Sequence, residues 1–194
     1  MYSFDVYDTI ITRKVNDPHN IWDLMSHYIG HHLDEWELDY GFVSEFACIR
    51  ADSERQARKN ETREITLDEI YNVIDNNYNI GIAVCDKLKE LEIKIEYEST
   101  VLINENIIRI KRMLSEGKRV ILISDMYLPR VFFIKLFDKL CPLLNEIPLY
   151  LSSEIGKTKA SGLLYQVVKT SENIEFSDWT HEGDNIVSDY NIPQ

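Results

Sequence analysis

Acids, hydroxyls and one lysine follow a series of short apolar runs in this chain. Asp5, Asp8 and Thr9 lie at the carboxyl end of the run that begins at Tyr2, and Ser124 and Asp125 close Val120–Ile123. Lys159 comes after Leu149–Leu151, and Asp184 and Asp189 come after Phe176–Thr180. One reading is structural, because Asp, Ser and Thr are common in turns and at helix caps. The other is chemical: carboxylates hold a divalent cation through oxygen, and one of them is a nucleophile. Phosphoryl transfer suits that set. An anionic nucleophile meets a phosphate dianion only if a cation, a lysine and a hydroxyl offset the repulsion. Asp is a suitable nucleophile because an acyl phosphate is labile to water.

For these residues to act together, the runs must be neighbouring strands. Tyr2–Tyr7 is rich in β-formers. Val120–Ile123 is continuously apolar, as in a parallel strand covered on both faces. Leu149–Leu151 is a short third strand and Phe176–Thr180 a weaker fourth. Pro129 opens a helix bearing Val131, Phe132, Ile134, Leu136, Phe137 and Leu140, and Lys159 opens another with Leu163, Leu164, Val167 and Val168 buried. Alternation of strand and helix predicts an α/β chain with a three-layer, Rossmann-like parallel sheet. Ligands of such sheets bind outside the carboxyl ends of the strands.

Between the first two strands the texture is helical. Asn16-Asp17-Pro18 supplies a start signal, and Thr66 with Glu69 a capping box. Residues 15–115 contain no convincing strand, with breaks in the helical pattern near Ser99 and Asn104. The run Arg50 to Lys59 reads as a solvated helix face. His27 and His31 are four apart but have no glutamate between them, which argues against a metal pair. The predicted organisation is an α/β core of residues 1–14 and 100–194 with an inserted helical cap at 15–99.

The chain has 194 residues and a net charge of -12, from 21 Lys+Arg against 33 Asp+Glu. That balance argues against non-specific binding to nucleic acid or anionic lipid. It leaves room for a small phosphorylated substrate, since one cation and one lysine reverse the potential of a pocket. No run approaches the roughly 18 apolar residues of a membrane span. Cys48, Cys85 and Cys141 form no CxxC pair, and the first residues, MYSFDVYD, lack a basic segment ahead of an apolar one. A cytoplasmic location is expected on both counts.

Taken in order, Phe4-Asp5-Val6-Tyr7-Asp8-Thr9, Ile121-Leu122-Ile123-Ser124-Asp125, Lys159 and Gly183-Asp184-Asn185-Ile186-Val187-Ser188-Asp189 resemble the four motifs of the haloacid dehalogenase (HAD)-like hydrolase superfamily. The forms FDVYDT, SDMYLP and GDNxxSD resemble a subgroup associated with bacterial polysaccharide glycosyltransferases. The resemblance implies a Mg²⁺-dependent phosphatase, with a sugar phosphate as substrate and an aspartyl-phosphate intermediate. It implies Asp5 as nucleophile and metal ligand, the Tyr7 carbonyl and Asp184 as further ligands, and Asp189 as a ligand or an anchor behind them. Ser124 would bind the phosphoryl group and Lys159 neutralise it, with Lys157 a rival for that role. Thr9, Asp125 and Arg13 are candidate substrate contacts.

Two departures bear on activity. Phosphatases of the superfamily usually carry a second Asp two residues after the nucleophile, as acid and base. Tyr7 stands there, and Asp8 is the candidate replacement. An aromatic residue at that place is typical of the metal-free dehalogenases, which lack the paired acids present here as Asp184 and Asp189. The chain also ends at Gln194, where the superfamily usually adds a strand and a helix. The alternatives to a phosphatase are therefore a weak or inactive domain of a longer, glycosyltransferase-linked protein, and a dehalogenase.

Overall fold

The computed structural model describes residues 1–59 and 63–192. The chain divides into two compact units. One comprises Met1–Thr12, Glu61–Glu64 and Thr100–Gln194, the other Arg13–Asn60 and Ile65–Ser99. In chain order the elements are β1 (Tyr2–Phe4), β2 (Ile11–Arg13), α1 (Asn20–Gly30), α2 (Leu33–Trp36), α3 (Tyr40–Ser44), α4 (Phe46–Ala57), α5 (Leu67–Tyr78) and α6 (Ile82–Ser99). There follow β3 (Thr100–Leu102), α7 (Asn104–Ser115), β4 (Val120–Ser124), α8 (Arg130–Leu140), β5 (Leu149–Leu151), α9 (Ser152–Ile155), α10 (Leu163–Glu172) and β6 (Thr180–Glu182).

The first unit is a four-stranded parallel sheet in the order β5-β4-β1-β6, with helices around it, an α/β Rossmann-like fold. Phe4 pairs with Leu122 on one side and Glu182 on the other, and Ser124 pairs with Leu151. Parallel register brings the residues after β1, β4 and β6 out at one edge. All five residues of β4 are buried, the four of its apolar run, Val120–Ile123, and the polar Ser124 that ends it. Leu164, Tyr165 and Val168 of α10 pack on Ile121 and Ile123. In α8 the buried side chains are Phe132, Phe133, Leu136 and Phe137, whereas Val131 and Ile134 face solvent. Helical geometry allows one apolar stripe, and these two residues fall outside it.

Several local expectations are corrected. β1 ends at Phe4 rather than Tyr7, because Ile10 N and Ile11 N both close on Val6 O in a turn. The fourth strand begins at Thr180. Phe176 and Trp179 stack at 5.7 Å across a 3-10 turn (Phe176–Asp178), so the apolar residues clasp one another and polar Thr180–Glu182 forms the edge. A strand does occur in the region expected to be helical: β3 pairs with β2 as a two-stranded ribbon. Lys14 N donates to Ser99 O, and Ile103 N to Ile10 O, at 2.8 Å each. α10 starts at Leu163, which leaves Lys159 in the preceding loop.

The helical unit has its core in Ile21, Met25, Ile29, Phe46, Ile70, Ile74 and Leu88. α5 opens with the Thr66–Glu69 capping box. α1 starts at Asn20, after Asp17 Oδ1 accepts from His19 N at 2.8 Å, so Asp17 serves the turn and not the helix itself. Arg50 is fully buried, against the solvated face expected for its run. Among the described residues no helix is long and apolar enough to cross a membrane.

Candidate active site

Asp5 is the first residue beyond β1, the strand flanked by β4 and β6. Its backbone N donates to Glu182 O at 2.8 Å, which fixes the carboxylate at the sheet edge. Only 6% of Asp5 is exposed. Lys159 reaches it from the loop before α10. The Lys159 backbone N donates to both Asp125 carboxylate oxygens, at 2.8 Å each, so Asp125 at the end of β4 holds that loop. The ammonium then pairs with Asp5 Oδ1 and, at 2.6 Å, with Asp189 Oδ1. Lys157 is exposed, whereas Lys159 is buried.

Asp189 folds back from the segment after β6. Besides Lys159, it accepts from Asn185 N at 3.1 Å and lies 3.2 Å from His181 Nε2. Its carboxylate fills the space above Gly183, where a Cβ would overlap it. Glycine is needed there for this close approach. Asp184 projects from the same segment and is exposed.

The electrostatics follow from burial and pairing. Burial drives the Asp5 carboxyl up to about 7, against the opposing pull of Lys159. Burial also drives Asp125 to about 6, opposed by the Lys159 N–H. Asp184 is raised as well, by partial desolvation at its exposed position and by the charges of Asp8 and Asp189. Asp189 moves the other way: burial raises it, but the His181 hydrogen bond and Lys159 outweigh that and hold it well below the ordinary carboxylate value. Burial likewise disfavours the Lys159 ammonium, yet Asp5 and Asp189 overcome this and raise it. Burial holds His181 below the usual imidazole value.

Carboxylate oxygens of Asp5, Asp184 and Asp189 lie within 4.8 Å of one another. They face a cleft of about 380 Å³ lined also by Tyr7, Asp8, Ser124, Asp125 and Lys159. Three acids against one lysine leave an excess of negative charge, and hard oxygen donors fit magnesium or calcium better than a soft metal. The donor set therefore fits a hard divalent cation.

The remaining candidates are placed as follows. Asp8 has φ 55° and its carboxylate accepts from Thr12 Oγ1 at 2.7 Å, at the open side of the cleft. Tyr7 is buried with its ring edge-on to Phe133, centroids 6.3 Å apart. Thr9 is buried away from the cleft lining, and its Oγ1 has no hydrogen-bond partner among the described residues. The Arg13 guanidinium grips Glu96 of its own unit through Nε and Nη2 at 2.8–3.0 Å.

His181, 3.2 Å from Asp189 through Nε2, is a further residue of the site. Its position on β6, two residues before Gly183, is the available signal. Sequence reasoning did not single out Tyr165, whose hydroxyl donates to Ser188 O at 2.8 Å. It also missed Glu64. Ser152 Oγ donates to Glu64 at 2.9 Å and accepts from Met126 N at 2.8 Å, which pins the chain just after Asp125.

No family model matches the sequence, and no curated protein does. Solved structures do match. A HAD-hydrolase of Bacillus subtilis, YfnB, described as bound to magnesium, superposes with TM-score 0.58 at 14% identity, over 100% of this chain and 83% of that one. A 2-haloacid dehalogenase of Pseudomonas syringae gives 0.65 at 12%, over 100% and 81%. A HAD phosphatase of Thermococcus onnurineus gives 0.61 at 13%, over 99% and 80%. In fold, this chain is similar to the HAD-like hydrolases.

Proposed function

We propose that the chain is a magnesium-dependent phosphatase of a small phosphorylated metabolite. The observation that carries this reading is the grouping of Asp5, Asp184 and Asp189 around one cleft, with Lys159 bonded to the first and third. Asp5 attacks phosphorus and the ester oxygen leaves, so an aspartyl-phosphate forms. Asp8, at the mouth of the cleft, gives the leaving oxygen its proton and then takes one from the water that cleaves the acyl phosphate. Ser124 donates a hydrogen bond to a phosphoryl oxygen, and Lys159 neutralises charge on Asp5 and the phosphoryl group. Asp5, Asp184, Asp189 and the Tyr7 carbonyl would hold magnesium, which when bound offsets the repulsion between carboxylate and phosphate.

The sequence resemblance favours a sugar phosphate as substrate, a place in polysaccharide biosynthesis, and attachment to a glycosyltransferase in a longer protein, and the cysteine usage favours a cytoplasmic setting. A dehalogenase is the second reading, and Tyr7 beside Asp5 favours it. A panel of sugar phosphates and 2-haloacids, assayed for phosphate and chloride with and without Mg²⁺, separates the readings. Phosphate release that needs Mg²⁺ is the expected result. Chloride release without metal would establish the dehalogenase. Neither product from the folded protein would point to a non-catalytic domain.

A further inference from the structure

Behind Asp189 runs a chain of polar groups, half-buried at its Trp179 end, that the proposed reaction does not use. Trp179 Nε1 is 2.7 Å from Ser3 Oγ, Ser3 Oγ is 2.6 Å from His181 Nδ1, and His181 Nε2 is 3.2 Å from Asp189 Oδ1. Strand register builds it: Ser3 of β1 lies opposite His181 of β6, and Trp179 precedes that strand. Ser3 is fully buried and the His181 side chain is 2% exposed. The Tyr165 ring walls the chain, 5.2 Å from His181 and 5.7 Å from Trp179.

The hydrogens along this chain can be counted. An indole N–H only donates, so Ser3 Oγ accepts from Trp179. Ser3 has one hydrogen and no solvent to receive it, so it donates to Nδ1. The imidazole hydrogen then sits on Nε2 and points at Asp189. The far end gives the same answer, because a bare Nε2 would set a lone pair against a carboxylate.

We infer that Trp179 and Ser3 lock His181 as the Nε2–H tautomer, and that its donated bond holds Asp189 Oδ1 where it also receives the Lys159 ammonium. His181 is thus a positioning residue. It acts through Asp189 on Lys159, and through Lys159 on Asp5. Only the effect on turnover rests on the phosphatase reading; the tautomer does not.

Nitrogen-15 NMR of the full chain at pH 7.5 reads the tautomer directly, with the His181 signals identified by their loss in His181→Gln. The expected result is a protonated Nε2 and a bare, hydrogen-bonded Nδ1 in the wild type and in Asp5→Asn, and in Ser3→Ala an Nδ1 signal shifted to that of a bare nitrogen without its hydrogen bond. In the Mg²⁺-dependent phosphatase assay, His181→Gln keeps an N–H donor and should hold kcat within about threefold. His181→Leu should lower kcat about 10–100-fold, the usual cost of losing a partner behind a site ligand. A protonated Nδ1 in the wild type, an Nδ1 signal unmoved in Ser3→Ala, or equal losses in the Gln and Leu variants would overturn the inference. If His181→Leu does not fold, the Gln and Ser3→Ala arms still decide. Absence of turnover in every variant would remove the phosphatase reading and leave the spectra to decide the tautomer.

Discussion

Each unit buries a cation among carboxylates, and the two clusters differ in a telling way. In the helical unit Arg50 is fully buried and grips Glu92 through Nε at 2.9 Å and Nη2 at 2.7 Å, with Nη1 on Glu54 at 3.0 Å. Tyr71 OH donates to Glu92 at 2.7 Å, and the guanidinium lies over Trp22 at 4.7 Å. This cluster is closed, with flat groups filling the space around it. In the α/β unit Lys159 holds Asp5 and Asp189 at the wall of an open cleft, beside a third acid. A buried ion pair is therefore weak evidence of chemistry on its own. Excess like charge, together with access, separates the cluster suited to react from the one suited to pack.

The comparison can be tested by breaking each cluster in turn. Asp5→Asn should lower Mg²⁺-dependent phosphate release by about 10⁴-fold, equivalent to about 5 kcal/mol of barrier, with little change in melting temperature. Steady-state kinetics beside a thermal melt measure both. Glu92→Leu should do the reverse. It removes the carboxylate that holds Nε and Nη2 of the buried Arg50 and should cost about 3–5 kcal/mol of stability, read by urea denaturation. Its effect on turnover, scored at a temperature where the variant is folded, should be small.

A third test uses pH. The Asp125 carboxyl is raised to about 6 by burial, so the folded chain holds that proton more tightly than the unfolded one. Its contribution to stability is full below the unfolded value near 4 and is lost as pH rises through about 6. Asp125→Asn should therefore gain stability relative to wild type between pH 4 and pH 7, by an amount on the order of 3 kcal/mol. Paired urea titrations at the two pH values would show a constant difference if Asp125 is not responsible.

The smallest expected effect is binding of the cation itself. Mg²⁺ at ten times its dissociation constant should stabilise the wild type by about 1.4 kcal/mol. Asp184→Asn should lose most of that gain, and Glu92→Gln none of it. Equal Mg²⁺ responses in wild type and Asp184→Asn would break the contrast between the clusters.

The features that place the cleft are legible in the sequence for physical reasons. β4 is apolar from Val120 to Ile123 because it is covered on both faces, and Ser124 and Asp125 come next because the strand ends there at the sheet edge. The ribbon is not legible, since Thr100–Leu102 is three residues long between helices and shows no alternation. Arg50 is hidden in the same way. A charge in a charged run looks solvated until Glu92, forty-two positions on, supplies a buried partner. The link from His181 to Asp189 depends on Ser3 at the other end of the chain, and local spacing carries no trace of that pairing.

Gly183 joins two functions that a sequence motif prints as separate letters. The volume its missing side chain leaves open is occupied by the Asp189 carboxylate, the same group that grips Lys159. A single methyl group added there would act as a wedge against the acid, lifting it away from the ammonium with both residues left unchanged in the sequence. The tolerance of this position to change is therefore set by the wiring of the cleft, and a screen for folding alone would understate its importance.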